Sequence, residues 1–148
     1  MKLLAPAAVL AGVVCLAATG CSSDPQADYC EAVEEHQADL SDVAGSDDAG
    51  AVFEALDDYE DLAEAAPRDI ADDWAAVVDP LRELEQVLSD HGIDPSSYSA
   101  DDPPADLDEE GRRAIEAAAR TVGEERTVTA MAAVEQHALD VCGTPLSR

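Results

Sequence analysis

Few side chains in this sequence have the chemistry for metal or covalent work. Three histidines, His36, His91 and His137, and four cysteines, Cys15, Cys21, Cys30 and Cys142, are its soft ligands. His36 follows Cys30 by six residues and His137 precedes Cys142 by five, about 9 and 7.5 Å along helical axes. That level match invites zinc or copper. If the two cysteines face each other, however, 100° per residue turns each histidine about 120 to 140° off the contact. The histidines then splay apart, and the expectation is exposed, ordinary histidines and no metal centre.

The run Asp106-Leu107-Asp108-Glu109-Glu110-Gly111 has oxygens at the first, third and fifth places and glycine at the sixth, like the opening of a calcium loop. The bidentate acid belongs at the twelfth place, which is Ala117, and Arg113 fills the apolar eighth. The run therefore reads as an acidic helix start favoured by the helix dipole. Neither a G-x-S-x-G elbow nor a phosphate-binding glycine loop is present, so no enzymatic role and no cofactor are expected. Trp74 and Tyr59 fall on apolar stripes and read as core. Tyr98 falls in a proline-rich stretch and is the candidate partner contact, as an exposed aromatic on a long loop. Arg112, Arg113, Arg120 and Arg126 gather half of the scarce positive charge in one segment, where pairing within the helix accounts for most of it.

Charge narrows the partners. Acidic residues outnumber basic ones 34 to 8, a formal net charge of −26, and loss of a leader whose only charge is Lys2 makes it −27. Nucleic acid is excluded for want of a cationic footprint on phosphate, and a polybasic membrane-surface patch for the same reason. Membrane contact must be covalent. Lysine is nearly absent and arginine supplies almost all of the positive charge, which with abundant Ala and Asp fits a high-GC bacterium.

Residues 1–20 read as an export signal: Lys2 is a minimal positive start, and Leu3 to Ala17 make an apolar stretch too short to span a bilayer. Leu16-Ala17-Ala18-Thr19-Gly20-Cys21 resembles a bacterial lipobox, with Cys21 as the lipidated residue. Ala18 stands where leucine is usual, and Ala18-Thr19-Gly20 also suits ordinary signal peptidase. Cysteine arithmetic favours the lipobox: Cys15 leaves with the leader, Cys21 takes the lipid, and Cys30 and Cys142 remain to pair in an oxidising compartment. The absence of an Arg-Arg pair favours the Sec route over twin-arginine export. The expected location is the extracytoplasmic face of the cell membrane, lipid-anchored.

Residues 21–27 form a polar tether, 28–143 a helical domain, and 144–148 a tail. Asp28 with Glu31 caps a first helix carrying Cys30, Val33, Gln37, Leu40 and Ala44 at steps of three and four. A second opens at Ser46-Asp47-Asp48 and runs through Val52, Leu56, Tyr59 and Leu62 to Pro67. The third has the strongest stripe, from Ile70 through Trp74, Val77, Val78, Leu81 and Leu84 to Leu88, and its phase continues across Pro80, predicting one kinked helix. Residues 93–105 form a long surface loop. From Asp106 the pattern returns, and an Arg112-Glu116-Arg120-Glu124 ladder argues for one long helix to Cys142 with a weak point at Gly123. A new helix capped at Thr121 is the alternative.

The outcome is an all-α antiparallel bundle of four, or five, helices. In up-down-up-down order the start of the first helix and the end of the last share one end, which brings Cys30 to Cys142. Asp28-Tyr29-Cys30, Pro67-Arg68-Asp69-Ile70 with Trp74, and Val141-Cys142-Gly143 are similar to features of small helical lipoproteins of actinobacteria. The resemblance implies fold and location only. The function expected is a membrane-anchored, non-enzymatic module that binds an envelope protein or cell-wall partner, the alternative being a small-ligand or metal-binding lipoprotein.

Overall fold

A computed structural model describes residues 24–100 and 102–148. The leader, the lipobox and Cys21 lie outside the described residues. The fold is all-α, with helices α1 (Pro25–Ala44), α2 (Ala51–Glu54), α3 (Leu56–Ala65), α4 (Ala71–Asp90), α5 (Glu109–Val122) and α6 (Glu125–Cys142), and a 3-10 turn at Pro95–Ser97.

α4 is the spine. Its stripe of Trp74, Val77, Val78, Leu81, Leu84 and Leu88 is buried along the whole length, and the helix runs through Pro80 as the apolar phase requires. The helix packs on α3, α5 and α6, while α1 closes a four-helix ring against α3 and α6. Its first half, with Tyr29 and Val33 of α1, Leu62 of α3 and Val134 of α6, makes the main core. Leu84 and Leu88 instead meet Ile115 and Ala118 of α5 in a second, smaller core. Val122 packs against both.

Cys30 and Cys142 form the expected disulfide, tying the start of α1 to the end of α6. Trp74, fully buried, donates its indole N–H to the Tyr29 hydroxyl at 3.2 Å, which satisfies the one polar atom that burial of tryptophan would otherwise strand.

Element boundaries differ from the sequence reading at several points. α1 begins before Asp28, because Asp24 accepts from the Gln26 N–H at 3.1 Å and Pro25 occupies the first turn. Pro25–Ala27 are therefore helix, not tether. Ser46 to Gly50 are a turn rather than a helix start: the Ser46 hydroxyl accepts from Asp48 N and the Asp48 carboxylate from Gly50 N. Gly50 is pressed so closely on the 93–100 loop that a Cβ there would stand 2.1 Å from the Ser96 carbonyl oxygen. The chain breaks again at Ala55, so the expected second helix is α2 and α3.

The long last helix is in fact two. Gly123 closes α5 and Glu124 takes an extended conformation with ψ of 150°, a turn that redirects the chain from the α5 seam to the α6 seam at Val122. The ion ladder does not form: Arg113 and Arg120 donate instead to the main-chain carbonyls of Glu109 and Glu116, both at 3.1 Å. Finally, residues 144–148 belong to the domain. Gly143 turns the chain with φ of 68°, Leu146 is only 2% exposed in the main core, Gln37 donates to the Pro145 carbonyl, and the Arg148 N–H reaches the Ser41 hydroxyl at 3.1 Å.

Candidate functional site

His36 and His137 take their partners from different elements, and neither is an ordinary exposed residue, each side chain being 14% exposed. His36 on α1 faces α3, with Nδ1 2.8 Å from Asp58 Oδ1 and Nε2 3.7 Å from Asp61 Oδ2. His137 on α6 packs its ring edge-on to Tyr29, centroids 5.6 Å apart, with Nε2 3.6 Å from Asp69. Its Nδ1 is buried without a partner. Sequence spacing could not reveal this, since the partners Asp58, Asp61 and Asp69 come from other elements. Among the described residues no three His, Cys, Asp or Glu side chains converge into a metal-binding group.

The calcium-like run is used for capping. Asp108 accepts from the Gly111 N–H at 2.7 Å and starts α5, while Gly111 lies under the His91 ring. His91, Asp94, Asp106 and Asp108 line an open polar hollow of about 470 Å³, in which Asp94 accepts from Ser96 N and Oγ at 3.1 and 2.9 Å.

Tyr98 is half-buried, not exposed. It follows the 3-10 turn and packs on the second core, as Ile93 and Leu107 also do. Burial pushes its phenol pKa upward, and the Glu116 carboxylate pushes the same way. With Pro103, Leu107, Ile115 and Ala119, Tyr98 lines a groove of about 590 Å³ between the loop and α5, rimmed by Arg112 and Arg120 with Glu116 between them. Two of the chain's few cations are thus placed at an aromatic loop residue.

A second groove lies between α3 and α6, floored by α4. Tyr59, Val77, Leu81, Val122, Val128, Met131 and Val52 line about 460 Å³, and Thr127 and Glu135 supply its polar side chains. Val128 is 60% exposed at its edge. Val128, Met131 and Val134 share one line of α6 at steps of three, but the packed face buries Ala130, Val134 and Ala138 and leaves Val128 and Met131 on the flank. The Tyr59 phenol pKa is raised, by burial first and then by Glu135 and Asp58. Trp74 and Tyr59 otherwise stand in the core as expected, their rings 6.4 Å apart.

Neither groove resembles a preassembled reaction centre; both present apolar walls with one or two charges at the edge, an arrangement suited to binding. No family model, curated protein or solved structure matches the chain.

Proposed function

We propose that the chain is an envelope lipoprotein of the actinobacterial type, lipidated at Cys21 and held on the extracytoplasmic face of the membrane. In this reading it is a non-enzymatic module that binds an envelope protein or cell-wall partner through its loop and acidic faces. The observation that carries the binding role is the loop groove, where half-buried Tyr98 meets Arg112 and Arg120 on a surface otherwise dominated by acids. Tyrosine and arginine are among the side chains most enriched at the positions that dominate binding energy in interfaces. A photo-crosslinking amino acid at position 98, used in intact cells, should capture one discrete partner, and Tyr98→Ala combined with Arg112→Ala should abolish its co-purification. Recovery of the same partner with the double variant would refute the loop as the contact. For the anchor, Cys21→Ser should move the protein from the detergent-soluble membrane fraction into the medium; wild-type protein free in the medium without acyl mass would overturn it.

The apolar groove at Tyr59, Leu81 and Met131 favours a second reading, a small-ligand-binding lipoprotein, because its volume of about 460 Å³ lies in the range of ligand pockets.

A further inference from the structure

We propose that the groove between α3 and α6 binds a cationic amphiphile, its apolar body lying on Val77, Leu81 and Met131 and its cation held at Glu135. The proposal rests on the small-ligand reading and adds the chemical class of the ligand.

The groove exists because its walls differ in length. α3 has 10 residues against 20 in α4 and 18 in α6, so α3 cannot cover the whole flank that α6 presents. Val122, Val128 and Met131 are left along a strip open to water. From Thr127 to Glu135 that strip runs about 12 Å along α6, enough for a short aliphatic chain or a ring system. The walls are methyl, methylene and thioether groups, and Met131 adapts its shape readily to an irregular guest. Affinity for the body of the ligand is therefore hydrophobic and tolerant of shape.

The sign of the ligand's charge follows from two observations. Glu135 is the only ionisable acid on the groove wall, and the tyrosine phenol facing it lies in reach of its field. Among the described residues no cationic side chain lines the groove. The whole chain adds a formal net charge of −26, which concentrates cations near the surface and repels anionic amphiphiles such as fatty acids. The aromatic wall of Tyr59 beside Glu135 is itself attractive to an alkylammonium group.

The test is a charge series at constant tail. Folded protein carrying Cys21→Ser is titrated calorimetrically, in 0.15 M salt and below micelle formation, with dodecyltrimethylammonium, dodecyl maltoside and dodecyl sulfate. The cation is expected to bind one to one at least tenfold more tightly than the neutral detergent, with no saturable binding of the sulfate. Val128→Trp fills the groove from an already exposed position and should abolish the site without unfolding the protein, as checked by circular dichroism. Glu135→Gln should weaken the cation at least threefold and leave the neutral ligand unchanged, whereas Glu34→Gln on the exposed face of α1 should change neither. Equal affinity for cationic and neutral detergents would overturn the charge assignment while leaving the small-ligand reading standing. Failure of all three to bind saturably, or binding unaffected by Val128→Trp, would overturn both. Multiple cations bound in proportion to falling ionic strength would mark diffuse attraction and likewise refute the site.

Discussion

The disulfide gives the sharpest quantitative test. Replacing both Cys30 and Cys142 with alanine, or reducing the wild type, releases a covalent loop spanning 112 positions of sequence separation. The chain-entropy account assigns such a loop about 16 cal/mol/K of lost freedom in the unfolded state, or about 4.8 kcal/mol at 25 °C. Unfolding entropy of about 2.1 cal/mol/K per residue over roughly 125 ordered residues converts that to a fall in Tm of about 18 °C. For a domain whose total stability is on the order of 5–15 kcal/mol, the tie is a large fraction of the whole. The assay is urea unfolding followed by circular dichroism, with and without reductant, beside thermal scans. Because the effect acts on the unfolded chain, the open form should also show a larger m-value, the released chain exposing more surface. A Tm change below about 5 °C with an unchanged m-value would refute the assignment of this stability to loop closure. Agreement between the double alanine variant and the reduced wild type is required, since it separates the loss of the bond from the change of side chain.

Other outcomes follow from single contacts. Tyr29→Phe should cost about 1–3 kcal/mol, because it strands the buried Trp74 indole N–H; a neutral result in urea unfolding would contradict the assigned bond. Gly50→Ala should cost about 2–3 kcal/mol by forcing α2 off the Ser96 carbonyl, with faster amide exchange around Asp94 to Tyr98. Tyr29, Tyr59 and Tyr98 all have raised phenol pKa values, burial being the first cause in each. The unfolded chain therefore loses these protons first, so stability should hold below about pH 10 and fall as pH rises beyond it, tracked by Tm beside phenolate absorbance. Calcium, zinc and copper at micromolar levels should leave the melting curve unchanged, while sodium chloride raises it modestly by screening the acidic surface. A saturable shift with one metal, removed by Asp108→Ala or His137→Ala, would contradict this.

The features legible in the sequence were those written within one helix. The α4 stripe is strong enough that its phase survives Pro80, and Trp74 announces the core by its position on that stripe. Cys30 and Cys142 could be paired because a bundle with short links dictates which ends meet. The missed features depend on contacts between elements far apart in sequence. The turn before α2 holds Gly50 against the Ser96 carbonyl, and Val122, at the end of α5, packs against two cores at once. The Arg112 to Glu124 ladder spoke for continuity, but exposed ion pairs contribute only tenths of a kcal/mol per pair, too little against burial of Ile115 on one side of Gly123 and Val134 on the other. Leu146 looked like a tail residue because one leucine after a glycine has no periodicity to show. Tyr98 was found as a contact candidate from its loop, whereas its burial and its arginine neighbours were not visible. The α3–α6 groove escaped notice since a stripe reveals which residues are apolar, not whether a neighbour is long enough to cover them.

The position of the disulfide also determines how the domain carries mechanical load. Helix α1 is capped by Asp24, six residues before Cys30, and Cys142 is the last residue of α6. In the proposed anchored state, tension between the membrane and a partner held at the loop groove enters at Asp24, crosses the first turn and a half of α1, passes through the sulfur–sulfur bond into α6, and reaches α5 across Gly123. The helices α2 to α4 lie outside that covalent path. Under oxidising conditions the bundle would therefore resist drag at its anchor without relying on its small core. After reduction the same force would peel α1 from α3 and α6, one turn at a time.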